Sequence, residues 1–480
     1  MAKVYVTIFG NYKGYRPVNY RYKNKEIKTN SPLKVFSDIE KNIEKFIVLI
    51  PISVLNKENL RENIYSYQEL ENFVKEELKK FLKEKTGIED IENEEKYKIY
   101  VIPSSGRFNL ASYGEAPFIL DFKNALSDIL AFMYYALDRE IPFEKNEVIL
   151  DITHGVNFFP LYLKNVLENL LVTRKYFNNY SQNLKIYCSD PFVQGLQDQT
   201  LNINLISELE IENKNFENLV QKLKDSNSVY SPKDIEKNKI YDLSKLKLTE
   251  VSPNFENLST VAYLRVFVRA LSKNLPLLIS FLIHKASENF VENLEKHIEN
   301  IFEEYKKGFK LEKEEENLFS VKRNFEFQGD KFEAVYLAFL LLKAIKKTLE
   351  EENISYPTSN EDIKKLANII EYAKEFIIRE VNNIHDRILK KGKNYFKKGE
   401  YYPLTKLSKK HQSSEFSINQ EECERIYRNF LAHGGILYTL TEFCRCEDDD
   451  KKFLLRYKED LITRFIKECL MEIEKCQEQN

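Results

Sequence analysis

Arg428-Asn429-Phe430-Leu431-Ala432-His433, followed by Gly434-Gly435, sets a guanidinium and an imidazole a short fixed distance apart near the end of an expected helix. That pair suits metal-free cleavage of RNA. The ribose 2′-hydroxyl must lose a proton to attack its own phosphate, and the departing 5′-oxygen must gain one. The pentavalent phosphate between them carries extra negative charge. An imidazole moves protons near neutral pH. A guanidinium holds phosphate oxygens through two parallel hydrogen bonds. The competing reading is a surface Arg on a helix that ends in a capping or packed His.

The helix expected to carry the pair spans 418–433, with Ile418, Cys423, Ile426, Tyr427, Phe430 and Leu431 as its apolar stripe. Five residues turn a helix by about 500°, which leaves Arg428 and His433 about 140° apart. One helix does not aim both groups at one atom unless its last turn relaxes at Gly434-Gly435. Two copies of the helix meeting across a symmetry axis remove the difficulty, so a homodimer is expected. Just upstream, residues 390–410 carry eight Lys against one acid, Glu400, with Tyr395, Phe396, Tyr401 and Tyr402 interleaved. Lys neutralises phosphates and rings stack bases, so this reads as a flexible contact for single-stranded RNA, with Lys393, Lys397 and Lys398 at its centre.

No whole-molecule field draws in a nucleic acid: 73 basic and 75 acidic side chains leave a net charge of -2. Any such partner must bind in a local groove. The start of the chain reads as a strand rather than a signal peptide, and no apolar run is long enough to span a bilayer. A cytoplasmic protein without membrane contact is expected. Six Cys, five of them in the last sixty residues, lack finger-like spacing with His, so no metal site is expected. Buried thiols are the favoured reading, with a disulfide as the alternative.

The first two hundred residues alternate in period. Lys3–Phe9, Phe46–Pro51, Lys98–Pro103, Glu147–Thr153 and Leu184–Cys188 are short apolar runs of buried-strand length. Helical stretches at Tyr67–Lys85, Leu120–Asp138 and Phe158–Phe177 lie between them. This predicts an α/β, Rossmann-like domain over 1–210 with a mostly parallel sheet. Ligands of such sheets sit at the carboxyl ends of the strands. There the chain places Gly10-Asn11, Ser104-Ser105-Gly106 and Asp151-Ile152-Thr153-His154-Gly155-Val156-Asn157. Small and hydroxylated residues let backbone N–H groups approach a phosphate. No GxGxxG follows the first strand and no GxxxxGK[ST] occurs, which disfavours a dinucleotide enzyme or a P-loop ATPase. Residues 211–250 read as a polar connecting module. Residues 251–480 read as all-α, with helices over 257–272, 276–304, 333–350, 360–389, 418–433 and 453–476, and the charge run 306–323 as a solvated face or loop.

A sheet domain with Asp151-Ile152-Thr153-His154-Gly155 closing its fourth strand, joined to a helical domain bearing Arg428 and His433, resembles the CARF–HEPN ribonucleases of type III CRISPR antiviral systems. The resemblance covers the chain end to end apart from the connecting module. It implies a CARF sensor that binds cyclic oligoadenylate across a dimer axis. It also implies a HEPN domain that then cuts single-stranded RNA without a metal or other cofactor. By position, Thr153, His154, Gly155 and Asn157 would contact the messenger, with Asn11, Ser105 and Gly106 completing the pocket. Arg428 and His433 would be catalytic, and Asn429 would orient one of them. Many such sensors carry a Lys or Arg where Asn157 stands, which leaves Lys13 and Arg16 as candidates to meet the phosphates. The expected product carries a 2′,3′-cyclic phosphate. Two rivals stand beside this reading: a ligand-sensing nucleic-acid-binding regulator without catalysis, and a constitutive RNase whose sheet domain only dimerises.

Overall fold

A computed structural model describes residues 2–111, 116–142, 146–154, 158–176, 182–193, 198–212, 216–224, 226, 228–232, 246–255, 257–392, 395–407, 420–446, 449 and 451–471. Its centre is an eight-stranded sheet. The five expected strands form its parallel heart, in the spatial order Asn183–Ser189, Asn146–Asp151, Ala2–Ile8, Ile43–Pro51, Tyr97–Ile102. Both faces are covered, so these strands are apolar along their length: Val4, Tyr5, Val6, Ile47, Val48, Leu49, Val148 and Leu150 are all buried. The sheet is mixed rather than simply parallel. Thr200–Glu210 pairs antiparallel with Asn183–Ser189, and the hairpin Val18–Tyr22/Lys25–Thr29 extends that side. Alternating burial in Val18–Tyr22 marks a strand with one covered face, a pattern too short to separate from a loop by period alone.

The helices Tyr67–Glu84 and Phe159–Lys175 stand where the periodicity puts them. The helix expected from Leu120 begins instead at Leu126, because Ile119–Asp121 is recruited as a strand. Its partner is the hairpin Lys310–Glu315/Leu318–Lys322, which the charge run had marked as a solvated face or loop. Ladder pairing overrides the polarity there: one face of Leu318–Lys322 buries Phe319 and Val321, while the charges point outward. The resulting five-stranded sheet also takes in Ile64–Ser66 and Arg107–Asn109. It joins the two halves of the chain.

Beyond the hairpin, Gly329–Glu351 is a nearly all-buried helix packed against Leu126–Glu140 and Phe159–Lys175. Buried polar bonds pin that contact. Asp138 accepts from Tyr336 Oη at 3.0 Å and pairs with the fully buried Arg174. Asp128 accepts from Tyr305 Oη at 2.9 Å and from the Phe327 N–H at 2.8 Å, and pairs with Arg323. Such groups must be satisfied when dry, so they fix how the helices register.

The second half is not all-α. Thr358–Ser359, Phe453–Tyr457, Thr441–Arg445 and Tyr401–Pro403 form a four-stranded sheet in that order. Phe453–Tyr457 was expected to start a long helix. Its burial alternates with period two, and the chain becomes helical only from Glu459, as an α-helix to Phe465 that runs on as a π-helical stretch, Ile466–Leu470. Two other long helices are divided. The stretch 276–304 breaks between Lys285 and Phe290. The stretch 360–389 breaks where Glu371 and Ala373 take positive φ. The side chain of buried Asn274 donates there to the carbonyls of Ala367 and Tyr372, at 3.1 and 2.6 Å. Ala367 O also keeps its helical bond from the Glu371 N–H at 3.0 Å, so the distant Asn274 braces the break ahead of the following helix, Lys374–Lys390, rather than competing for that bond. Among the described residues no helix is long and apolar enough to cross a membrane.

Candidate functional sites

The helix Gln420–Ala432 carries the Arg-Asn-…-His segment, and His433 is the residue at which it ends. Phe430 is fully buried against Phe465, with ring centroids 4.9 Å apart, so this face is anchored. A Cys423–Cys469 disulfide ties the same face to the C-terminal helix, which corrects the expectation of free thiols at these two positions. Closure at the end follows from two glycines. The Gly435 N–H reaches back to Phe430 O at 2.9 Å, and Gly434 and Gly435 adopt φ of +56° and +81°. That is a left-handed termination that glycine alone takes without strain. At Gly434 a Cβ would lie 2.1 Å from Ile377 Cδ1, so the missing side chain is also what lets the helix end approach Lys374–Lys390.

The approach brings the His433 imidazole to a carboxylate that the sequence did not single out. Nδ1 lies 3.2 Å from Glu380 Oε1. The carboxylate is 13% exposed and the imidazole 37%, so the pair sits at a rim with the ring open to solvent. Glu380 stands one turn beyond Ile377 on the same helix, and nothing in its local sequence separates it from dozens of other acids. Arg387, further along that helix, donates to Tyr438 Oη at 2.8 Å, and the Tyr438 ring is 6.1 Å from that of His433. Arg428 points elsewhere. It is 79% exposed and pairs with Glu424 one turn back on its own helix, at 3.1 Å. Asn429 is exposed beside it. Within one chain, then, Arg428 and His433 share no partner, as the helical angle requires.

Of the expected RNA-contact lysines, Lys393 lies outside the described residues, while Lys397 is 78% exposed and pairs with Glu400. The segment is less of a free loop than expected. Phe396 is buried, Tyr401–Pro403 is the edge strand of the small sheet, and Lys398 bridges to Arg445 in it. Cations lie over its rings: Lys406 is 4.8 Å from the Tyr402 centroid and Arg456 is 3.6 Å from that of Tyr401.

The second site is a cavity of about 920 Å³ at the carboxyl ends of the parallel strands. Gly10, Asn11, Lys13, Ser53 and Ser105 face it, with Phe108, Phe118 and Phe158 among its apolar walls. Ser105 Oγ accepts from the Ala125 N–H at 3.1 Å, just ahead of the helix Leu126–Glu140. Lys13 is held by Asn56, and burial lowers its pKa. Of the two basic candidates, Lys13 lines the cavity and Arg16 does not. Gly106, at φ +106°, shapes the turn through backbone bonds to Lys123 and Phe122 without lining the cavity.

The Asp151-Ile152-Thr153-His154 segment supports this edge from below. Asp151 is buried, and burial raises its carboxyl pKa. It accepts from Tyr5 Oη at 2.6 Å and from the Thr153 N–H at 3.0 Å. Thr153 Oγ1 accepts from the Ser189 N–H at 3.0 Å. The His154 ring stacks on Tyr15, centroids 3.8 Å apart, and its carbonyl accepts from the Gly10 N–H. Neither Thr153 nor His154 is among the residues lining the cavity; Gly155 and Asn157 lie outside the described residues.

The two sites coincide with two family models. One described as "CRISPR system endoribonuclease Csx1, CARF domain" matches residues 4–191, and one described as "CRISPR system endoribonuclease Csx1, HEPN domain" matches residues 370–459. The chain belongs to the CARF–HEPN family of CRISPR systems. It is also 24% identical over 473 residues to a curated CRISPR system endoribonuclease Csx1 of Methanocaldococcus jannaschii, an alignment covering 96% of this chain and 91% of that protein. The CARF match contains the whole cavity edge. The HEPN match contains Glu380, Arg428, His433 and three of the four strands of the small sheet, so its sheet is part of the HEPN region rather than an appendage.

Proposed function

We propose that this chain is a metal-independent endoribonuclease, gated by cyclic oligoadenylate and acting as a homodimer in type III CRISPR defence. The observation that carries the catalytic reading is His433 held at the solvent rim of the HEPN region, with Nδ1 engaged and Nε2 left for substrate. Two copies meeting at this face would set Arg428 of one against His433 of the other. Arg428 then clamps the phosphate, and Asn429 orients it. The O2′ proton passes to Nε2, the O2′–P bond forms and the P–O5′ bond breaks. O5′ takes its proton from the imidazolium of the second copy, leaving a 2′,3′-cyclic phosphate and a 5′-hydroxyl.

The cavity's Asn11, Ser53, Ser105, Lys13, Lys57 and four Phe rings suit a ligand that carries phosphates and bases together. A route for gating is built in. The cavity-wall strand Arg107–Asn109 shares a sheet with the hairpin that leads into Gly329–Glu351. A thousandfold rise in the active population requires the messenger to favour the active arrangement by about 4 kcal/mol.

The test is RNA cleavage in EDTA, with and without cyclic tetra- and hexa-adenylate. Cleavage only with a cyclic adenylate supports the reading. Cleavage that ignores it points to a constitutive RNase, and RNA binding without cleavage under any condition points to a regulator.

A further inference from the structure

We infer that Glu380 is a positioning residue for His433, holding the imidazole in the tautomer whose bare Nε2 can take the ribose proton; this rests on the ribonuclease reading above. The geometry is specific. Glu380 Oε1 is 3.2 Å from Nδ1, and no other side chain of the described residues has a recorded hydrogen bond to the His433 ring. An ionised carboxylate only accepts, so the proton of a neutral imidazole sits on Nδ1 when this bond is made. Nε2 is then the lone-pair nitrogen. The carboxylate is mostly enclosed while the ring is open, so the arrangement orients an exposed reactive edge from a buried side. Third-party orientation of a catalytic imidazole is the general solution to a side chain that otherwise rotates and exchanges tautomers.

The neighbouring charges are arranged to keep Glu380 on this task. Arg379, beside it in sequence, lies over the Phe376 ring at 5.4 Å, and Arg387, two turns along the helix, is taken up by Tyr438, through both a 2.8 Å hydrogen bond and the ring face at 5.4 Å. Arg428 is turned to Glu424. Two features of the fold make the contact possible. The break at Glu371–Ala373 aims Lys374–Lys390 past the end of the motif helix, and the bare Gly434 lets the two elements close to contact at Ile377.

The experiment uses the full chain, activated by the cyclic adenylate that supports cleavage. Single-turnover rate and RNA Kd are measured for wild type, Glu380→Ala, Glu380→Gln and His433→Ala. The ¹⁵N-imidazole spectrum of His433, assigned by its loss in His433→Ala, reports the tautomer. Glu380→Ala is expected to slow cleavage by about 10- to 100-fold, with RNA affinity within about twofold of wild type. Its imidazole should lose the Nδ1–H tautomer preference. Glu380→Gln, nearly isosteric and still offering a carbonyl oxygen, should retain more activity than Glu380→Ala and carries the test if the alanine variant does not fold. Wild-type rates in both variants, an unchanged tautomer, or parallel loss of rate and affinity would overturn the inference. A fully active His433→Ala would instead sink the ribonuclease reading itself, which keeps the two failures apart.

Discussion

In the proposed reading the CARF cavity and the HEPN rim each hold a phosphate ester, and they are built for it by opposite means. The cavity is built inside one chain, from strand ends and turns, and is lined by short polar side chains, two lysines, Lys13 and Lys57, and one acid, Glu58. The rim is built from long side chains at a helix end. Its two signature groups face different partners: Arg428 reaches Glu424 and His433 reaches Glu380. The cavity lining thus converges within one chain, whereas at the rim guanidinium and imidazole do not. In the proposed reading, a sensor that moves two copies relative to one another has a direct lever on the second site.

The largest effect that would sharpen this contrast is at the rim. Arg428→Ala and His433→Ala should each lower cleavage by at least about 10²-fold without changing ligand affinity at the cavity. Measured by isothermal titration, a parallel loss of messenger binding would break the separation of the two sites. Conversely, Lys13→Glu should weaken messenger binding and, by linkage, the activated rate at a fixed subsaturating messenger concentration, while full saturation restores cleavage. In wild type, messenger at about 100 times its Kd should stabilise the fold by about 2.7 kcal/mol. A Lys13→Glu protein with unaltered affinity would remove that lysine from the pocket's chemistry.

Smaller effects probe how each site is supported. Reduction of Cys423–Cys469 should cost the HEPN region about 2–4 kcal/mol, read as a lower denaturant midpoint; no change would mean that Phe430 and Phe465 hold the helix alone. Gly434→Ala should destabilise by about 1–3 kcal/mol, because it meets both a positive φ and Ile377, and activity should fall with it. The mildest test concerns the sensor. Burial depresses the His154 pKa from 6.5 to about 3, and Nε2 is enclosed without a hydrogen-bond partner among the described residues. The unfolded chain therefore binds the extra proton first. Stability contributed by neutral His154 is present above 6.5 and is lost as pH falls from there toward 3, by up to about 1.4 kcal/mol per unit. Denaturant titrations from pH 6.5 down to about pH 5 should show this slope, and His154→Phe should flatten it. An equal slope in the variant would assign the acid sensitivity to other groups.

Much of this was legible in the chain. The five parallel strands are continuous apolar runs, so their burial on both faces is written in their composition. Arg428 and His433 announce themselves by type, spacing and the glycine pair behind them. What escaped was of two kinds. Short strands such as 119–121, 318–322 and 453–457 have too few residues to show a period, and their partners lie up to two hundred residues away. The role of the Asp151–His154 segment was also displaced: its polar side chains are spent on Tyr5, Ser189 and Tyr15, beneath the cavity edge rather than on its lining.

Local sequence determined which residues could do chemistry and which segments are helical or apolar enough to be strands, because propensity and periodicity act over a few neighbours. Only the tertiary structure decided where helices break and what meets their ends. Asn274 braces the break in one helix by donating to the carbonyls of Ala367 and Tyr372, and the bare Gly434 admits a second helix to contact. Glu380 meets His433 as a result, a pairing across fifty-three residues that no local pattern encodes.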